Sequence, residues 1–221
     1  MVTLKWSLVF DKMTSLLQGC AVTMEISVLT LIFGTILGVV LALMRDSHIK
    51  VVSRLAQLYI WIWRGTPLMV QAFLIYFGLP NLGITFSAMT AGVLSMSLNT
   101  GAYIAEIVRS GIQSIHKGQL EAAMSLGFSK WESMVRIIIP QAIRNILPVI
   151  GNEFVTLIKE SSQVSVIGMA DLMYTAATIQ GISFQPFPPL VIVAVYYFVM
   201  TFFVSSCLRV LEIRLKVRSV R

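Results

Sequence analysis

Five apolar runs constrain this chain more than anything else in it. They occupy about residues 16–44, 55–79, 85–108, 142–168 and 188–209. Each is long enough to cross a bilayer, which takes roughly 20 mainly apolar residues. In lipid every backbone polar group must find its partner within the chain, so such runs predict helices. The expected fold is an all-α membrane protein: a single transmembrane domain over 1–221 with five transmembrane helices. Composition agrees. Of 221 residues, 57% are hydrophobic and 12% charged, whereas a soluble domain carries about 25% charged residues.

The basic residues set the expected orientation. Arg45, Lys50 and Arg54 follow the first run. Arg109, Lys117, Lys130, Arg136 and Arg144 follow the third, and Arg209, Arg214, Lys216, Arg218 and Arg221 close the chain. Those three regions hold thirteen of the seventeen Lys and Arg residues. The other side has Lys5 and Lys12, and its link after the second run, "PNLGI", carries no charge. The positive-inside tendency puts the N-terminus outside and the C-terminus in the cytoplasm. The loop 109–141 is then cytoplasmic, as is the basic tail 210–221. Residues 1–15 mix Trp6 and other apolar side chains with Lys5, Asp11 and Lys12, which suits an interfacial segment without a cleavable signal.

A net charge of +7 invites a nucleic-acid reading. Its distribution in short blocks between apolar runs is a topology signal instead, and the tail suits anionic lipid better. Cys20 and Cys207 lie in separate runs, where they read as small apolar packers. His48 and His116 have no neighbouring ligand set, so no metal site is expected.

The cytoplasmic loop contains a patterned stretch, "EAAMSLGFSKWESMVRIIIP" (Glu121 to Pro140). Leu120, Ala123, Met124 and Gly127 share one helix face. Gly127 suits the left-handed residue that ends a helix. Ser129 with Glu132 matches a capping box that starts another. Trp131, Met134, Val135 and Ile138 repeat the apolar spacing, and Pro140 would interrupt a helix or sit in the first turn of the next. The loop therefore reads as two short amphipathic helices joined at Gly127. Their apolar faces are free to meet the membrane, the protein's own spans or a partner.

"EAA", three residues, "G", nine residues and "I-x-I-P" resembles the cytoplasmic loop signature of ABC importer permeases, with Ile139 where that family has leucine. Three other stretches resemble the polar-amino-acid branch, which includes histidine, glutamine, arginine and cystine permeases. They are "GAYIAEIVRSGIQSIHKGQLEAA" (Gly101 to Ala123), "RGTPLMVQ" (Arg64 to Gln71) and "GNEFVTLIKESSQVSVI" (Gly151 to Ile167). The similarity runs from about residue 18 to 212. It implies a multi-pass subunit of the bacterial inner membrane that pairs with a second permease copy or close paralogue. Two ATPase subunits would bind ATP and Mg, and an extracytoplasmic binding protein would deliver the amino acid. The resemblance makes Glu121, Ala122, Ala123 and Gly127 the core of the coupling contact with the ATPase. Phe128 and Trp131 are added as aromatic anchors, with burial against the protein's own spans as the competing expectation.

Charged groups inside spans are costly and mark function or pairing. At ~1.5 Å per residue, Arg64, Asn152 and Glu153 come to a similar depth near the midplane. Lys159 and Glu160 lie nearer the outer face, where Glu25 could meet Lys159. One reading makes these groups structural ion pairs, with a local Glu106–Arg109 pair at the cytoplasmic end of the third span. The other puts Asn152 and Glu153 on the substrate path, with Thr66, Arg64 and Glu160 beside it. Glu153 would meet an ammonium, and Thr66 or Asn152 would supply hydrogen bonds. Pro67 breaks the helix ladder after Gly65 and Thr66, giving either a packed kink or backbone groups that line a cavity.

No phosphate-binding G-x-x-x-x-G-K-[ST] loop is present, nor any Gly-Lys pair. ATP hydrolysis is therefore expected on a separate chain, and no enzymatic role is expected here. Competing readings are a facilitative channel or ion-coupled carrier working without an ATPase, and a membrane scaffold.

Overall fold

The structure, a computed structural model, describes residues 11–217. Most of the interfacial segment expected at 1–15, with Trp6, and the end of the basic tail lie outside the described residues. Nine α-helices follow in order among the described residues: α1 (Met13–Arg45), α2 (Lys50–Gly65), α3 (Leu68–Phe73), α4 (Ala88–Gln113), α5 (Lys117–Ser125), α6 (Lys130–Ser133), α7 (Ile139–Val164), α8 (Leu172–Ser183) and α9 (Phe187–Val217). No strand occurs among them.

Small residues set the closest helix contact. A Cβ on Gly34 would lie 2.9 Å from Thr100 Cγ2, and one on Gly38 would lie 2.6 Å from Ile104 Cβ. Conversely, a Cβ on Gly101 would meet Leu37 at 2.8 Å. The Gly34-x-x-x-Gly38 spacing thus lets α1 approach α4 closely. Ile26 meets Gly92 further up the same pair, so α1 and α4 run parallel. α7 returns antiparallel to α4: Ile146 sits against Gly111, and Asn145 Nδ2 donates to Ser114 Oγ at 2.9 Å. α9 packs on α7 where Leu208 fills the space beside Gly151. The C-terminal ends of α1, α4 and α9 thus gather at one end of the bundle with the start of α7.

Three stretches are long and apolar enough to cross a membrane: Met13–Arg45, Lys130–Ile167 and Phe187–Val210. α4 spans 26 residues but is less apolar. Its solvent is protein rather than lipid: Ala91, Ser95, Met96, Asn99, Thr100, Ala102, Ile104 and Ala105 are all buried. Enclosed on several sides, this helix can carry small and hydroxyl side chains that a lipid-facing helix would not.

One expectation is sharpened and one needs correction. The second run breaks at Pro67, and the break is sharp. α2 and the segment Leu68–Leu82 meet at 104° and count as a fourth span only when taken together. Thr66 and Pro67 are both extended (ψ 144° and 137°), because proline cannot donate to the ladder and forces its predecessor out of the helical region. The second helix of the loop is not a separate short piece. Lys130 to Ile167 is continuous, with a π-turn at Met134–Ile138 where the Ile139 amide reaches back to Met134 O. The wider turn falls just before Pro140, which has no N–H to give Arg136 O, and Gln141 Nε2 bonds Ile137 O at 2.9 Å.

The core sits among α1, α3, α4 and α7, centred on Ile26, Leu68, Ala72, Met96, Leu157 and Val164. A second cluster, including Leu16, Leu172, Ile179 and Val193, pins α8 between α1 and α9.

Candidate functional site

Along α7, Leu157, Ile158, Ser161 and Val164 are buried. The opposite side carries Asn152, Thr156, Lys159 and Gln163, and Glu153 and Glu160 lie at its edge, in the row of Leu157 and Val164. Asn152, Lys159 and Gln163 are exposed, and the other three are half-buried. Asn152, Thr156, Lys159 and Gln163 are spaced at i, i+4, i+7 and i+11, which makes one straight polar line on a helix. Thr156 Oγ1 is satisfied by Asn152 O at 3.2 Å. Among the described residues, every salt bridge is to Glu106, so Glu153, Lys159 and Glu160 have none. Charged side chains left exposed on a membrane span need water or another subunit, not lipid.

The expected Glu25–Lys159 pair does not form. Both side chains are exposed. The packed face of α1 runs through Thr23, Ile26, Ser27 and Thr30, and Glu25 falls off it. Counting residues places two groups at one depth but says nothing about which way each faces.

Arg64 takes the structural ion-pair reading. Its guanidinium lies 3.4 Å from Glu106 Oε1 and stacks over the Tyr103 ring at 5.2 Å. The same carboxylate accepts from Arg45 and from Arg109 Nε at 2.9 Å. The expected Glu106–Arg109 pair is therefore part of a cluster of three arginines around one glutamate. Arg64 joins this cluster rather than Glu153, because the sharp break after α2 makes a residue count along it a poor measure of depth. At the break itself, Trp63 O, which a helical residue at 67 would bond, accepts instead from Gln71 Nε2 at 2.9 Å and Asn99 Nδ2 at 3.0 Å. Gln71 Nε2 also reaches Thr66 O and Thr66 Oγ1. Gly65-Thr66-Pro67 is thus a packed kink with Thr66 on its exposed side. The sequence reading missed Gln71 and Asn99. Two amides inside apolar runs were the available signal.

The loop hairpin has the local chemistry read from its residues. His116 Nδ1 accepts from the Gly118 amide at 3.1 Å and caps α5. Gly127 has φ +91°. Its amide bonds Met124 O, and the Phe128 amide bonds Ala123 O at 3.2 Å, the paired bonds of a Schellman motif. Ser129 and Glu132 form a reciprocal capping box, and the Ser129 hydroxyl and amide hold the Glu132 carboxyl below the usual carboxylate range. Ala123 is 2% exposed and packs inward. Glu121, Ala122 and Gly127 face out, and Phe128 is half-buried. Trp131 is 75% and Leu126 80% exposed, so the turn presents a bare apolar knob that the protein's own spans do not cover.

The helical bundle thus carries a polar line on one span and an exposed apolar hairpin at one end. The chain belongs to the family described as the binding-protein-dependent transport system inner membrane component, matched over residues 34–217. It is 40% identical to a putative glutamine transport system permease protein, GlnP, of Rickettsia bellii, over 92% of this chain and 94% of that one. It is 38% identical to the arginine transport system permease protein ArtQ of Bacillus subtilis, over 97% and 99% respectively. Its fold superposes with TM-score 0.93 on the crystal structure of an amino acid ABC transporter with histidines, at 44% identity, covering 96% of this chain and all of that one. The chain is a multi-pass permease subunit of an ABC importer in the inner membrane. It is not an enzyme, and ATP hydrolysis belongs to a separate chain.

Proposed function

We propose that this permease imports polar amino acids handed over by an extracytoplasmic binding protein, by alternating access driven by two ATPase subunits that carry ATP and Mg. The observation that carries this reading is the polar line on α7, charged and without ion pairs on a span that should otherwise meet lipid. A second permease subunit, either another copy or a close paralogue, would cover that line and complete a water-filled path. Asn152, Glu153 and Glu160 would line the path with Thr66, joined by Thr156 and Lys159. The relatives named for glutamine and arginine transport support an amino acid as cargo.

Five crossings fit the packing. α1 and α4 run parallel, which supports a return across the membrane between them, with the broken pair α2–α3 as that one crossing. With α7 and α9 the count is five, and the basic ends of α1, α4 and α9 then lie in the cytoplasm, with the N-terminus outside. The hairpin of α5 and α6 would be the coupling element, with Glu121, Ala122, Gly127 and Trp131 against the ATPase and Ala123 holding α5 to its own chain.

Glu153 is the residue to test. In the reconstituted complex, Glu153→Gln should slow uptake of arginine more than that of glutamine, since the carboxylate is needed for the second positive charge. Equal slowing of both would remove Glu153 from charge selection.

A further inference from the structure

The break between α2 and α3 is held by two amides, and their bonds leave little freedom in how they are read. Trp63 O and Thr66 O can only accept, so the atoms facing them must be the nitrogens of Gln71 and Asn99. Gln71 Oε1 then accepts from Asn99 Nδ2 at 2.9 Å. Gln71 and Asn99 are 5% and 6% exposed. The result is a closed clasp. The carbonyl orphaned by Pro67 is bonded from α3 by Gln71 and from α4 by Asn99, and the two amides are bonded to each other.

Asn99 and Glu106 are seven residues apart on α4 and share one face. Asn99 holds the carbonyl of Trp63, while Glu106 holds the guanidinium of the next residue, Arg64. Tyr59 adds a third tie, its hydroxyl donating to Leu98 O at 2.8 Å. The last two turns of α2 are therefore gripped by one face of α4. That helix ends at Gln113, and only Ser114, Ile115 and His116 separate it from α5. Asn145 fastens that short link to α7, the helix bearing the polar line, through Ser114.

We propose that Asn99 and Gln71 are positioning residues of the transport cycle. Their clasp fixes the kink to α4, so that Thr66 and Arg64 move as one body with the helix that leads into the α5 hairpin. Without the clasp the kink retains its proline but is no longer bound to α4, and movement of the hairpin is lost before it reaches the kink. This rests on α5 being the coupling helix.

The test uses the whole importer, with its ATPase and binding protein, in liposomes with a mixture of labelled glutamine and arginine. Gln71→Met and Asn99→Leu keep side-chain bulk and remove the amides. Normalised to assembled complex, each is expected to raise ATP hydrolysed per amino acid imported by about threefold or more, within the range by which residues between coupled sites modulate coupling. A residue that only stabilises the bundle would lower the amount of assembled complex and leave that ratio unchanged; an unchanged ratio in both variants overturns the proposal. If neither variant assembles, adding Pro67→Ala supplies a donor for the Trp63 carbonyl. It should restore assembly while the ratio stays raised. A double variant that couples normally, or one that still fails to assemble, also overturns it. Failure of the coupling-helix reading shows separately, as normal uptake in Gly127→Asp.

Discussion

Glu106 concentrates the charge of the bundle. It is the shared partner of Arg45, Arg64 and Arg109, and its side chain is 20% exposed against 41% for Arg64 and Arg109. Removing the carboxylate leaves three guanidinium groups facing one another. Removing one outer arginine leaves two of the three pairs intact. Glu106→Gln should therefore cost about 2 kcal/mol, somewhat below the roughly 3–5 kcal/mol for breaking a fully buried pair. Arg109→Gln should cost under about 1 kcal/mol, as for other half-exposed pairs. Denaturant unfolding in detergent, followed by helix signal, would check the order, and equal losses would show that the cluster does not depend on its centre. The Glu106–Arg109 pair was legible because residues three apart on a helix are neighbours. The contribution of Arg45 and Arg64 was not, since it depends on the rotation of two other helices about their axes. The same gap explains why Glu25 and Lys159 read as partners and are not.

At the scale of elements, local chemistry was the most legible. Gly127 as a helix stop, the Ser129–Glu132 box and the close approach at Gly34 and Gly38 all follow from rules acting over a few residues or one helix turn. The kink at Pro67 was visible, but its sharpness and its clasp were not, because they depend on amides brought in from α3 and α4. The continuity of Lys130 through Ile167 was hidden by Pro140, whose effect is absorbed by a π-turn rather than by a break. The packing gives a paired prediction. Gly38→Ala places a Cβ 2.6 Å from Ile104 Cβ and should destabilise by about 1–3 kcal/mol. Gly65→Ala meets nothing within 4 Å and should be neutral or stabilising by up to about 1 kcal/mol. Thermal unfolding of the two variants side by side would show it. Equal effects would mean that α1 and α4 do not pack backbone to backbone.

For the whole molecule, the apolar runs made the helical membrane class legible at once, and the loop signature pointed to the family. The run at 85–108 reads as a span, yet its helix α4 is less apolar than α1. Wrapped by its neighbours, it needs little hydrophobicity of its own, and its place among the five proposed crossings draws on the parallel packing of α1 and α4. The hairpin is the proposed contact with the ATPase. Gly127→Asp should abolish uptake while the bundle still inserts, because the left-handed turn and its bare Leu126–Trp131 knob would be disturbed without touching a span. Normal uptake by that variant would contradict the coupling role.

We propose that this bundle moves its cargo only when a separate ATPase works it through that hairpin. The most direct measurement is uptake of labelled glutamine and arginine into liposomes, comparing the purified permease alone with the permease, ATPase, ATP and binding protein together. Uptake is expected in the full assembly alone. Uptake by the permease without the ATPase would contradict it and favour a carrier that uses the polar line of α7 unaided.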